Sequence, residues 1–256
     1  MKPVFAYLHS LSYECSYYLD DSLHINCTAE SLTPQIQVTL QFFARLGLVV
    51  NFEKSVLKPT QVIRHLGFII DSRDMTVSLP RDKIVKIVNF LSLLVSKETC
   101  SIRELARGIG LIVSTFLAVG AGKRHYRRLE ILKTAALHLN CGNFEAMLTL
   151  TDQARSELQW WINNLPKTHS RSFKPQKILA VITTDASSTA WGAHLNAPAH
   201  NLRGTFDALQ LNKHINVKEL LAIKLAVVQF STCLDWSDCT IKIRSDNTTA
   251  LAYIKH

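Results

Sequence analysis

The sequence predicts a multi-domain α+β protein, and three observations carry that prediction. First, β-type and helical segments alternate irregularly over residues 1–80, which suits an α+β arrangement rather than a repeating one. Second, residues 80–139 read almost wholly as amphipathic helices. Third, a polar, Pro-containing stretch, "PKTHSRSFKPQK", separates these from a last third that returns to β-type runs. A length of 256 residues accommodates this many parts, and 47% apolar content excludes wholesale disorder.

The elements follow in order. "YYLDDSLHI" reads as two short strands around a turn, the first over 16–19. In "PQIQVTLQFFARLGL", Ile36, Leu40, Phe43 and Ala44 recur at helical steps and Gly47 suits the helix end. Apolar runs at 48–52 and 61–70 read as strands, and "DSRD" turns the second into Met75–Leu79, giving a hairpin over 62–79. Pro80 suits a first helical turn, and Ile84, Ile87, Val88, Leu91, Leu94 and Val95 then make one apolar stripe. "SIRE" (Ser101–Glu104) has the capping-box pattern that opens a second helix, "HYRRLEILKTAALHL" is a third, and a fourth lies near 144–165. Beyond the linker, "ILAVITTD", "TAWGAHL", "LRGTF" and "CTIKIRSD" read as strands. An amphipathic helix, "NVKELLAIKLAVVQF", lies between the last two, and a final helix begins at Asn247.

Charge narrows the choice of partners. Net charge is +9, but residues 81–130 hold 10 basic and 4 acidic groups while residues 1–80 hold 6 and 7. A basic excess concentrated on helices suits a polyanion such as nucleic acid, or else a solvated face. Candidates for phosphate contact include Arg103, Arg107, Lys123, Arg124, Arg127 and Arg128, the last four within "GKRHYRR". The six cysteines form no CxxC pair and have no His at zinc spacing, no apolar run is long enough to span a membrane, and no signal-peptide pattern opens the chain. The expectation is an intracellular protein of the cytoplasm or nucleus with reduced thiols.

The carboxylates carry the chemistry. Adjacent carboxylates repel, and strands are poor in Asp, so Asp20 and Asp21 inside an aromatic β-type run call for a reason. A pair of divalent cations about 4 Å apart supplies one, because hard oxygen ligands must converge on them. Asp185 ends one apolar strand, Glu219 lies early on the amphipathic helix and Asp246 ends another strand. Rigid strand ends make good ligand platforms.

These segments resemble a known family. "YLDD" (Tyr18–Asp21) resembles the YxDD box of reverse transcriptases. "LGLVVNFEKS", with Gly47, Asn51 and Lys54, is similar to the next palm segment, and "HLGFII", with Leu66 and Gly67, resembles the primer-grip hairpin. "NFEKSVLKPTQVIRHLGFIIDS", "SIRELARGIGLIVSTFLAV" and "LQWWINNL" look like the DIRS-like retroelements that carry a tyrosine recombinase. Asp185, Glu219 and Asp246, in that order, are similar to the metal-binding carboxylates of ribonuclease H domains. The resemblance implies a partial palm over 1–79, a basic helical thumb over 80–139, a connecting helix and linker over 140–176, and the first part of a ribonuclease H-like domain over 177–256. It implies two-metal phosphoryl transfer with Mg²⁺, or Mn²⁺, held by Asp20, Asp21, Asp185, Glu219 and Asp246. The implied partners are an RNA template, a DNA primer or an RNA/DNA hybrid, contacted by Tyr18, Lys54, Leu66, Gly67 and the basic residues named above.

The chain departs from that pattern. Ser22 and His24 stand where the family keeps apolar residues. The first palm aspartate and the fourth ribonuclease H carboxylate are expected outside this sequence, so a fragment without templated synthesis and with weak or no ribonuclease activity is expected. Two rival readings are a non-catalytic nucleic-acid-binding remnant and a nuclease or transposase with a ribonuclease H-like fold. The second does not account for "YLDD" or "LGFII".

Overall fold

The computed structural model describes residues 2–174, 177–233, 236 and 240–255. The chain divides into two compact units, Met1–Lys174 and Pro175–His256. No described helix is long and apolar enough to cross a membrane.

The first unit opens with α1 (Lys2–Ser10), then an antiparallel hairpin of β1 (Glu14–Tyr18) and β2 (Asp21–Ile25), then α2 (Ala29–Arg45). Tyr18 pairs with Asp21, so Leu19 and Asp20 form a two-residue turn, with Leu19 at φ 52°. Phe5, Leu8 and Phe43 bury against one another, and Tyr17 stacks on Phe5 at 4.3 Å. Thr28 caps α2 by accepting from the Ser31 amide. The polar His24 has a partner on that helix: the buried Gln35 amide lies 3.3 Å from its Nδ1, and burial pushes the imidazole below its ordinary range. That contact gives the polar His24 a partner where the hairpin packs on the helix.

A second sheet contains β3 (Val62–His65), β4 (Phe68–Asp71) and β5 (Thr76–Ser78). Leu66 and Gly67 make the β3–β4 turn with φ 47° and 76°, the two positive values that a tight I′-type hairpin turn requires. Asp71 closes the next turn: its carboxylate accepts from the Arg73 and Asp74 amides, and the Arg73 side chain holds its pKa down to about 2. The "PKTHSRSFKPQK" stretch is only partly a linker, because its Ser170–Ser172 forms a strand pairing with β5. The run at 48–52 forms no strand; Val49 is 97% exposed there.

The helical part comprises α3 (Arg81–Val95), α4 (Ile102–Val113), α5 (Arg127–Leu139) and α6 (Asp152–Asn164), with a 3₁₀ turn at Gly120–Arg124. The predicted capping box is present: Ser101 accepts from the Glu104 amide, and Glu104 accepts from the Ser101 amide. Ile87, Leu91, Leu105, Ile112, Leu129, Leu158 and Trp161 are fully buried in one core. Two three-residue strands, β6 (Thr99–Ser101) and β7 (Met147–Thr149), pair across this core. The fourth helix therefore starts at 152 rather than near 144. With these in place, the Ser170–Ser172 strand is β8.

The second unit has a four-stranded sheet of β9 (Ile178–Ala186), β10 (Ala190–Asn196), β11 (Ala199–Thr205) and β12 (Thr240–Arg244), ordered β11-β10-β9-β12. β12 runs parallel to β9, and the other pairs are antiparallel. Between β11 and β12 lie a single turn of helix, α7 (Ala208–Leu211), and the long α8 (Ile215–Cys233). α9 (Thr248–Lys255) follows β12. Alternate β9 residues Ala180, Ile182 and Thr184 are buried and α8 packs against β9 and β10. Ala222, Ala226 and Phe230 of that helix join the same core.

Candidate metal centre and nucleic-acid surface

Parallel pairing builds the acidic site. Arg244 is in register with Thr183, so Asp246 and Asp185, each two residues further on, leave the same end of neighbouring parallel strands. That edge is where open α/β sheets usually bind ligands. Glu219, on the second turn of α8, completes the group: one carboxylate oxygen from each of the three residues lies within 4.8 Å of the other two. Among the described residues no other such set of metal-type side chains is gathered.

The three differ in environment. Asp185 and Asp246 are exposed, whereas Glu219 is 3% exposed. Burial raises its pKa first, and the nearby Asp246 and Asp185 carboxylates raise it further. Hydrogen bonds from the Ala186 amide (3.2 Å) and the Ser245 hydroxyl (3.3 Å) oppose this. Around Glu219 the frame is polar. Ser245 also accepts from the Asn247 amide, Asn247 caps α9 by accepting from Ala250, and the Asn247 side chain bonds Asn216 on α8 at 3.0 Å. This chain ties the Asp246 loop to the helix carrying Glu219. Lys218, also buried, donates to the Ser188 carbonyl at 2.6 Å and holds the β9–β10 turn. Asn247 was legible as a cap. Ser245, Asn216 and Lys218 had no signal in sequence, because their partners come from distant elements.

Three carboxylates at this separation, two of them open to solvent, form a hard-oxygen donor set that leaves coordination positions for water and substrate, as Mg²⁺ prefers. Burial is the main cause of the raised Glu219, and the repulsion from Asp246 and Asp185 that adds to it is what a cation would relieve. The residues fit the implied divalent ion. Beside Asp185 a concavity of about 340 Å³ is lined by Thr183, Gly192, His194 and Asn201; Gly192, directly opposite Asp185, adds no side chain to it.

The other predicted positions are not brought to this cluster. Asp20 and Asp21 sit at the β1–β2 turn, exposed, and belong to no gathered set of ligands among the described residues. Tyr18 is 60% exposed on the same hairpin. Lys54 lies in a turn closed by its amide donating to Asn51 Oδ1. Leu66, exposed, and Gly67, half-buried, form the tip of the β3–β4 hairpin, and Lys83 anchors that tip by donating to the Gly67 (3.5 Å) and Ser114 (3.1 Å) carbonyls over the Phe68 ring. Arg103 is committed to Glu145 and Phe144, and Arg107 lies over Phe90. Lys123, Arg124, Arg127 and Arg128 are exposed, and among the described residues none of their side chains has an ion-pair or hydrogen-bond partner.

No protein-family profile matches the sequence, and no curated protein matches it. Solved structures do. A foamy viral protease-reverse transcriptase in complex with RNA/DNA hybrid aligns with TM-score 0.52 and 16% identity over 95% of this chain and 32% of its own. The foamy viral enzyme in complex with dsDNA gives 0.49 and 16%, over 94% of this chain and 48% of its own. The chain thus spans less than half the length of these structures. At this identity the first likeness speaks to the fold alone: a mixed α/β chain similar to that of the foamy viral protease-reverse transcriptase.

Proposed function

We propose that this chain comes from the polymerase–ribonuclease H region of a DIRS-like retroelement and acts on RNA/DNA through a divalent-metal site at Asp185, Glu219 and Asp246. The observation that carries the proposal is the convergence of those three carboxylates at the ends of parallel strands and on the packed helix. Residues 1–79 would be palm, 80–139 thumb, 140–176 a connection and 177–256 the ribonuclease H-like part. Mg²⁺, or Mn²⁺, would activate an attacking oxygen and stabilise a leaving one. The exposed Asp185 and Asp246 would hold ions at the open edge, and the buried Glu219, fixed by the Ala186 amide and the Ser245 hydroxyl, would set their position. Glu219 must lose its proton to serve, so metal binding weakens with acidity at a higher pH than for a free glutamate.

The partner would be an RNA/DNA hybrid, read by shape and backbone rather than by base edges. For the polymerase part a non-catalytic reading is favoured, because among the described residues Asp20 and Asp21 gather no further carboxylate. Primer extension on an RNA template with Mg²⁺, if lost in Asp20→Ala, would overturn that reading. For the acidic trio, incubation of the full chain with a labelled hybrid and Mn²⁺ is the test. Any metal-dependent cleavage should vanish in Asp185→Asn, and cleavage unchanged by that substitution would place the chemistry elsewhere.

A further inference from the structure

The segment Gly122–Arg128 holds four exposed cations in seven residues, yet it is not a loose loop. Residues 120–124 form a 3₁₀ turn, and α5 begins at Arg127. Aromatic groups of α6 clamp the part between. Gly122 lies flat on Trp161: a Cβ at that position would meet the indole at 2.2 Å, so only glycine fits. The Trp161 Nε1–H donates to the His125 carbonyl at 2.6 Å. The His125 ring stacks on Trp160 with centroids 3.9 Å apart and planes 11° from parallel. Tyr126 meets Phe116 edge-on at 5.0 Å. At the start of α5, the Glu157 carboxylate accepts from the Arg128 and Leu129 amides.

Fixing four unpaired cations side by side costs repulsion that folding alone does not require. Elsewhere in this unit, Arg64, Arg73, Lys97, Arg103 and Lys133 each have a carboxylate partner. Here the backbone is immobilised and the charges are left free. Arg171 of β8 adds a fifth basic group beside Gly120, its Cδ 3.9 Å from where a Cβ would stand.

We infer that Gly122–Arg128 is a preorganised phosphodiester-binding surface, and that His125 and Trp160, which need not touch the ligand, are positioning residues for it. The inference rests on the proposed action on nucleic acid and specifies how the backbone is held. A flexible basic loop would lose backbone freedom on binding, about 1–2 kcal/mol for each residue ordered. The clamp removes that loss beforehand. Each phosphate contact contributes a slope of about −0.7 to −0.9 in log affinity against log salt, whereas preorganisation contributes affinity without slope.

The two contributions separate in one experiment. A short fluorescein-labelled RNA/DNA hybrid is titrated with the full chain across a range of KCl, and anisotropy reports binding. His125→Ala keeps the carbonyl that Trp161 uses and removes only the stacked ring; it should weaken binding about fivefold to tenfold at every salt concentration with the slope unchanged. Trp160→Phe, which keeps a ring under His125, should lose less. The pair Arg124→Gln with Arg127→Gln should flatten the slope by about 1.4 to 1.8. Wild-type binding by His125→Ala, or a flattened slope in that variant, would overturn the clamp. An unchanged affinity and slope in the double arginine variant would instead overturn the surface itself.

Discussion

At the residue scale, the structure separates side chains that the sequence presents alike. Asp20 and Asp21 in a β-type run and Asp185 and Asp246 at strand ends all read as metal ligands, but among the described residues only the last two meet a third carboxylate. The difference lies in Glu219, which reaches the edge because Ala222, Ala226 and Phe230 of the same helix bury against the sheet. Ser245 acts through Glu219, so Ser245→Ala should weaken Mn²⁺ binding about tenfold while leaving the fold intact, as measured by calorimetric titration. Cys100 supplies a second check. It is fully buried, and burial, with Glu104 next, pushes its thiol from 9.0 up to about 11. The folded chain therefore holds that proton more tightly than the unfolded one. The resulting stability is complete below about pH 9 and is lost as pH rises toward 11. Cys100→Ala should show a smaller fall in Tm than wild type between those limits; an identical fall would exclude this thiol as a cause.

At the element scale, legibility followed periodicity and length. The stripe from Ile84 to Leu94 and the Ser101–Glu104 box located α3 and α4, because both signals repeat or close locally. β6, β7 and β8 are three residues each, too short for alternation to register, and "SRS" in β8 is polar because its side chains are exposed. The run at 48–52 had strand composition but forms no strand, and its Leu48 and Val50 pack instead against the Phe5, Leu8 and Phe43 cluster. The β3–β4 turn gives a direct test of local geometry. Gly67→Ala places a Cβ at φ 76° and should cost about 1–2 kcal/mol by urea unfolding, while Leu66→Gly, which relieves φ 47°, should cost less or stabilise. In the helical core, Leu158→Ala should cost about 2–5 kcal/mol.

At the scale of the whole molecule, the two units have separate cores, and only the second contains the acidic trio. A cation that binds the folded second unit should raise the melting transition of that unit and leave the first unchanged. The grouping of the three acidic residues in the last third was legible because they lie at strand ends and a helix start, positions that sequence marks well. The frame around them was not, since the Ser245–Glu219 and Asn247–Asn216 contacts span 26 and 31 residues. The central claim is that Asp185, Glu219 and Asp246 form a divalent-cation site. Calorimetric titration of Mn²⁺ into the full chain, beside Asp185→Asn, Glu219→Gln and an Asp20→Asn/Asp21→Asn double variant, tests it most directly. The account predicts binding that survives the double variant and is lost in each of the other two; binding equal in all four proteins, or lost only in the double variant, would contradict it.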